Sequence, residues 1–273
     1  MKFTKMHGNG NDFIVIEDLD NKLINESSLA KRLCHRNFSI GADGILIVRR
    51  SMKADIKMTI INSDGSLANM CGNGIRCFGK YVWEHKLVDK TESISIETDD
   101  GIKTAYLNID NGEVKEVTIN MGMPAFTPKE IPVNSDHEVL LEKVEIENKN
   151  YIINSILLGV PHTIIFGKME DFSVEEGKNI EKNKLFPEGT NVNFCEIMNK
   201  NKIKVMTWER GAGATLACGT GSCAAVVVAN KLGFVDKKVI VEIPGGTLII
   251  ELTEKGVYMT GPAVTSFIGD YIL

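Results

Sequence analysis

The sequence predicts an α/β (α+β) protein of two pseudo-symmetric domains, each a mixed or antiparallel sheet curled around a central helix, with the active site in the interdomain cleft. Three observations carry this reading: segments recur in the same order in the two halves, strand-like patterns outnumber helical ones, and two apolar helix-like segments each open on a Cys-Gly turn. Ser93-Ile94-Ser95-Ile96-Glu97 runs into a turn at Asp99-Asp100-Gly101, as Val239-Ile240-Val241-Glu242-Ile243 runs into Pro244-Gly245-Gly246. Residues 117–125 and 257–263 are each a strand closed by Gly and Pro. These pairs and the two Cys-Gly turns share an offset of roughly 140 residues, about half the chain, which is the mark of a duplicated unit. The expected domains are 1–121 carrying Cys71, with 264–273 returning to it as a strand, and 122–263 carrying Cys218.

Taken in order, alternation of apolar and polar residues predicts strands at 13–16, 44–48, 57–61, 103–109, 152–158, 163–166, 202–208 and 247–252. Helical spacing predicts helices at 26–37, 75–85, 175–183 and 222–232. The last of these, with Ala224-Ala225-Val226-Val227-Val228-Ala229, is apolar nearly all round and must be surrounded by protein. Pro124, Pro128 and Pro132 make 123–134 the best linker candidate, because closely spaced prolines resist regular structure.

Composition narrows the function. A chain of 273 residues that is 43% hydrophobic and 25% charged can bury a sizeable core. Its net charge of -5, with dispersed Lys and Arg, argues against a nucleic-acid partner. The N-terminus lacks the apolar core of a signal peptide and no apolar run is long enough to span a bilayer, so no membrane partner and a cytoplasmic location are expected. Six cysteines are too sparse for a disulfide scaffold and are expected to be reduced. No metal is expected: Cys71 and Cys77 fall outside the usual C-x2–4-C spacing, and Cys218 with Cys223 sits at its edge with no His nearby.

The chemistry lies in the turns Met70-Cys71-Gly72-Asn73-Gly74 and Ala217-Cys218-Gly219-Thr220-Gly221. A thiol at a helix N-terminus is expected to ionise more easily, its pKa falling from about 8.5 toward neutrality. The glycines let backbone approach a ligand closely, and the N–H groups that follow suit an anion such as a carboxylate. Two such turns aimed at one α-carbon describe racemisation: a thiolate takes the α-proton from one face and a thiol returns one to the other. No pyridoxal lysine, metal or other cofactor is required. A single buried Cys beside glycines is more often a packed small hydrophobe; it is the equivalence of two that points to catalysis. Cys34, Cys77, Cys195 and Cys223 read as core.

The chain resembles the diaminopimelate epimerase family along its whole length. The matching motifs are Lys5-Met6-His7-Gly8-Asn9-Gly10-Asn11-Asp12-Phe13, Gly41-Ala42-Asp43-Gly44, Asn62-Ser63-Asp64-Gly65-Ser66, Cys71-Gly72-Asn73-Gly74-Ile75-Arg76-Cys77, Gly159-Val160-Pro161-His162, Phe186-Pro187-Glu188-Gly189-Thr190-Asn191-Val192 and Trp208-Glu209-Arg210-Gly211-Ala212-Gly213, followed by the second Cys-Gly turn. The resemblance implies cofactor-independent interconversion of LL- and meso-diaminopimelate, on the route to lysine and cell-wall peptide, by a homodimer whose partner is a small diamino-dicarboxylate. It makes Cys71 and Cys218 the acid–base pair and gives the α-carboxylate to the backbone of Gly72, Asn73, Gly219 and Thr220. Asn11 would line the same cleft, and Glu209 with the backbone of Arg210 would meet the reacting amino group. The Arg210 guanidinium would pair with the distal carboxylate, and Asn62 and Asn191 would read the distal end. His162 and Glu209 would help set the protonation of the thiols. The chain departs from the family's pattern at Val160, where Asn is common, and at Gly44, where some members carry Gln. Simpler roles stay open, since Asn62 and Asp64 also fit a plain turn and Glu209-Arg210 a solvated pair. The alternatives of function are a related racemase acting on histidine or proline, and a thiol redox sensor in which the two cysteines form a reversible disulfide.

Overall fold

A computed structural model describes residues 1–89 and 92–272, and the chain divides into two compact units, Met1–Asn120 with Thr260–Leu273 and Met121–Met259. In the first unit, β1 (Lys2–Gly8) and β2 (Asn11–Glu17) form an antiparallel hairpin turned at Asn9 and Gly10, both at positive φ. Helix α1 (Glu26–Leu33) carries the chain to β3 (Gly44–Arg49), parallel to β2. Strand β4 (Ile56–Asn62) returns antiparallel to β3 and takes up the short β5 (Leu67–Ala68). After α2 (Gly72–Glu84) comes β6 (Ser93–Thr98), parallel to β4, then the antiparallel β7 (Gly101–Asp110) and β8 (Glu113–Asn120).

The second unit repeats this order. Strand β9 (Glu142–Ile146) pairs antiparallel with β10 (Lys149–Leu158), which forms a hairpin with β11 (Val160–Phe166). Helix α3 (Gly177–Glu181) precedes β12 (Asn191–Asn199), parallel to β11; β13 (Lys202–Glu209) returns antiparallel and takes up β14 (Gly213–Thr215). Helix α4 (Gly219–Lys231) leads to β15 (Lys238–Ile243), parallel to β13, and to the antiparallel β16 (Gly246–Thr253). Strand β17 (Gly256–Pro262) straddles the boundary between the units, and β18 (Val264–Asp270) pairs antiparallel with β1. Each unit is thus a mixed sheet with one parallel pair bridged by an outer helix and another bridged by the helix that follows a cysteine.

Those two helices are the cores. Helix α2 packs on β1, β2, β3, β4, β7 and β8, and α4 on β10, β11, β12, β13, β15 and β16, so each sheet curls around its helix. In α4 every residue from Gly221 to Ala229 is buried, which explains a segment with no polar face. Burying each valine there contributes about 1.5–3 kcal/mol. On the far side of each sheet lies a second apolar layer. Leu29, Ala30 and Leu33 of α1 meet Phe3, Ile14, Ile16, Ile45, Ile47 and Ile61, and Ile180 of α3 meets Phe186, Val192, Phe194, Ile131 and Val133. The proline-rich stretch 123–134 has no helix or paired strand beyond one bridge at Ala125, yet Ile131 and Val133 anchor it to that layer.

The helices after the cysteines begin three residues earlier than their apolar spacing predicts, at Gly72 and Gly219, with glycines inside the first turn despite their low helix propensity. At Gly221 the reason is space, because a Cβ would lie 2.2 Å from Asn193 Oδ1 and 3.1 Å from Cys218 Sγ. The first helix is shorter than 26–37, ending at Leu33, and α3 is shorter than 175–183, preceded by a 3-10 turn over Val174–Glu176. Replacing Val226 with Asp places an unpaired carboxylate in the second core. Urea unfolding of Val226→Asp is expected to show a loss above about 3 kcal/mol; a loss below about 1 kcal/mol would mean that the core does not enclose this helix.

Candidate active site

In the first unit Cys71 is the N-cap of α2, held in extended backbone, and its Sγ accepts from the Gly74 N–H at 3.4 Å. The thiol also lies 3.6 Å from Asn11 Oδ1, which accepts in addition from Asn73 Nδ2 at 3.1 Å. Asn11 is turned to present its oxygen because its amide nitrogen donates to Asp43 Oδ2 at 2.7 Å. Asp43 in turn accepts from Arg36, which also grips Asp12, and Asp12 pairs with the buried Lys5 at 2.7 Å. Burial alone would raise the Asp12 carboxyl, but Arg36 and Lys5 hold it down at about 2. Gly72 and Asn73 are buried first-turn residues, whose N–H groups a helix cannot satisfy from within. Behind them the fully buried Arg76 braces the turn, donating to Gly72 O at 3.3 Å, Asn9 Oδ1 at 2.8 Å and Pro262 O at 3.3 Å.

In the second unit Cys218 is the N-cap of α4, buried, with Sγ 3.5 Å from Thr220 Oγ1. Here the expected fall in thiol pKa is reversed. Burial and then the Glu209 carboxylate push it well above the usual range, outweighing the Thr220 hydroxyl and the Gly221 N–H. The helix N-terminus is real, but desolvation of a thiolate is the larger effect. Glu209 accepts from Thr215 Oγ1 at 2.6 Å. Asn191 joins two segments: its Nδ2 donates to Pro161 O at 2.9 Å and its Oδ1 accepts from the Arg210 N–H at 2.9 Å. The exposed Arg210 side chain lies along Gly189, its Nη1 donating to Glu188 O at 2.7 Å. His162, fully buried, has its pKa pushed down to about 3, first by burial and then by the Arg210 charge.

Within each unit, then, the structure gathers the residues that the sequence singles out. Asn11, Gly72 and Asn73 surround Cys71, while Thr220, Gly219 and Glu209 surround Cys218, with His162, Asn191 and Arg210 linked through the β11–β12–β13 ends. Asn62 has an exposed side chain that bonds Ser66 Oγ at 3.0 Å in the turn between β4 and β5. Val160 occupies in the β10–β11 hairpin the place that Asn11 has in the β1–β2 hairpin, as first residue of the second strand, paired with Leu158 where Asn11 pairs with Gly8. Sequence reading missed Asp43, Arg36, Arg76 and Asn193. The last was signalled by the polar period of two in Asn191-Val192-Asn193. Among the described residues no group of three or more His, Cys, Asp or Glu could hold a metal ion, and no helix is long and apolar enough to cross a membrane.

Comparison with known proteins places the chain. The family model described as diaminopimelate epimerase matches residues 3–127 and 155–266, which include both cysteine turns, His162, Glu209 and Arg210. The chain belongs to the diaminopimelate epimerase family. It is 56% identical over 271 residues to the diaminopimelate epimerase of Clostridium perfringens (strain 13 / Type A), covering 99% of this chain and 98% of that one. It is 49% identical over 279 residues to that of Alkaliphilus metalliredigens (strain QYMF), covering 100% and 98%. Among solved structures, a probable proline racemase from Agrobacterium radiobacter K84 shares the fold, with a TM-score of 0.72 at 16% identity over 100% of this chain and 93% of that one. The shared fold is the pair of pseudo-symmetric α/β domains.

Two measurements check the electrostatics. Replacing Glu209 with Gln removes the anion beside Cys218 and is expected to lower that thiol's pKa, read as thiolate ultraviolet absorbance relative to Cys218→Ser in the same background; an unchanged titration refutes the coupling. The His162 imidazole, near 6.5 when unfolded and about 3 when folded, binds its proton more readily in the unfolded chain. Its contribution to stability is therefore complete above about pH 6.5 and is lost as pH falls toward 3, with a full range of about 5 kcal/mol. Denaturant unfolding from pH 7 to 4 should show a loss that His162→Gln reduces.

Proposed function

We propose that this chain interconverts LL- and 2,6-meso-diaminopimelate by moving the α-proton between Cys71 and Cys218. The observation that carries the reading is a cysteine at the N-cap of a buried, glycine-started helix at the equivalent place of each unit, in a chain of this family. One sulfur, as thiolate, takes the α-hydrogen as a proton, leaving the electron pair delocalised into the carboxylate. The other, as thiol, gives a proton to the opposite face and becomes the thiolate. Protons balance, nothing is oxidised, and the enzyme ends each turnover with the roles of its sulfurs exchanged. First-turn N–H groups at Gly72, Asn73, Gly219 and Thr220 hold the carboxylate and stabilise its enolate-like charge.

Glu209 takes the reacting amino group, and the Arg210 guanidinium the distal carboxylate, its backbone fixed by Asn191. The working form is a homodimer in the cytoplasm. A proline-specific activity is disfavoured, since likeness to the proline racemase is confined to fold at 16% identity.

Purified, reduced protein without added cofactor is expected to wash deuterium from heavy water into the α-position of both LL- and meso-diaminopimelate; absence of exchange with both isomers rejects the reading. Cys71→Ser and Cys218→Ser should each lower kcat by about 10²–10⁴-fold under reducing conditions, where a redox sensor would have no turnover to lose. Arg210→Ala should raise KM more than it lowers kcat.

A further inference from the structure

The imidazole of His162 is wholly buried, and its Nε2 has no hydrogen-bond partner among the described residues. Its Nδ1 lies 3.1 Å from Asn193 Nδ2, on a side chain that is itself fully buried. Which way that amide faces decides which imidazole nitrogen carries the proton. The amide nitrogen also lies 3.4 Å from Thr163 O and 3.3 Å from Asn191 O, while the amide oxygen meets Thr207 Oγ1 at 3.0 Å. Reversing the amide would set its oxygen against two carbonyl oxygens, none of which can donate. The NH2 group therefore faces the carbonyls and the imidazole, and the Thr207 hydroxyl donates to the amide oxygen. An N–H donating to Nδ1 requires that nitrogen to be unprotonated, so a neutral His162 carries its hydrogen on Nε2.

We propose that Asn193 is a positioning residue that locks His162 as a neutral Nε2–H donor, so that His162 offers the substrate site a hydrogen bond and takes no part in proton abstraction. The inference rests on the functional reading above for the site it serves, but not for the tautomer itself. Burial and the Arg210 charge act in the same direction by disfavouring the imidazolium. With Nδ1 occupied and protonation disfavoured, the ring has no basic lone pair to offer a substrate proton. A buried donor with no partner in the protein is costly unless a ligand supplies the acceptor, and the substrate carboxylates are acceptors only. Asn193 has a second task. Its Oδ1 is the atom that a Cβ on Gly221 would strike, at 2.2 Å, so the same amide sets how close the first turn of α4, and with it Cys218, comes to β12.

The test begins with the unaltered protein. Nitrogen NMR of protein labelled in its histidine rings, with His162 assigned by comparison with His162→Gln, is expected at neutral pH to show Nδ1 unprotonated and Nε2 protonated. A His162 protonated on Nδ1, or on both nitrogens, overturns the proposal whether or not the protein epimerises anything. Asn193→Asp replaces the donor with an acceptor and should move the proton to Nδ1, with kcat for the α-proton exchange falling at least about tenfold. In a His162→Gln background, whose amide keeps a donor without a tautomer to set, Asn193→Asp should change kcat less than about twofold. An equal loss in both backgrounds would show that Asn193 acts only on packing at Gly221, and that result also rejects the role proposed for it.

Discussion

A helix buried inside a curled sheet has to begin somewhere, and wherever it begins its first N–H groups have no acceptor within the helix. Both units of this chain meet that constraint in the same way, with a cysteine at the N-cap and glycine next to it. The glycines are not merely permissive. At Gly221 the sheet comes so close that Asn193 Oδ1 occupies the space of a side chain, and at Gly8 a Cβ would lie 2.9 Å from the Arg76 guanidinium. Side chains packed against these glycines hold the first turns in place, with the Gly74 N–H on the Cys71 sulfur and the Gly221 N–H on the Cys218 sulfur. That is the arrangement that stabilises charge developing on a carboxylate, because the donors are fixed before the charge appears.

Burial that aims these donors also opposes the ionisation that a two-base reaction needs. For Cys218 the opposing effects can be ranked: desolvation and the Glu209 carboxylate raise the thiol's pKa more than the Thr220 hydroxyl and the Gly221 N–H lower it. Each unit of pKa corresponds to about 1.4 kcal/mol, so a resting Cys218 is a thiol. Around it the second unit holds the Thr220 hydroxyl and the Gly221 N–H, with the Glu209 carboxylate as the charge that acts on it. A site of this kind receives an amino acid well, since the substrate brings the charges that the donors and ions are placed to meet.

The sequence reveals some of this architecture directly and hides the rest for physical reasons. The apolar run 224–229 could only be a buried helix, and the alternation of Ser93-Ile94-Ser95-Ile96 could only be a half-buried strand. Strands β1 and β12 escaped, because each buries polar residues. Lys5 lies inside β1, paired with Asp12, and Asn191 and Asn193 lie inside β12, so polar side chains stand at buried positions where apolar ones would mark a core strand. The cysteines were legible from their repetition. Glu209 and His162 were legible only by resemblance, since a lone acid or histidine has no pattern. Asp43 and Arg76 lie inside the matching motifs, but their partners Asn11, Asn9 and Pro262, like those of Arg36, are distant in the chain and spacing does not reveal them; nor does it reveal the burial that sets the pKa of Cys218.

The duplication that made the cysteines visible is a duplication of backbone and not of charge. In the first unit the residue five positions after the cysteine is Arg76, wholly buried and donating to oxygens of Gly72, Asn9 and Pro262. The corresponding place in the second unit is Cys223, a buried core residue, and the charge acting on Cys218 is the Glu209 carboxylate. The oxygen of Asn11 faces Cys71, while the equivalent hairpin position in the second unit is the apolar Val160. Proton transfer between a pair of bases requires one of them to be protonated and the other not, and identical environments would leave that choice undetermined. In the second unit that choice is biased by charge laid over the repeated backbone: burial and the carboxylate beside Cys218 favour its thiol form.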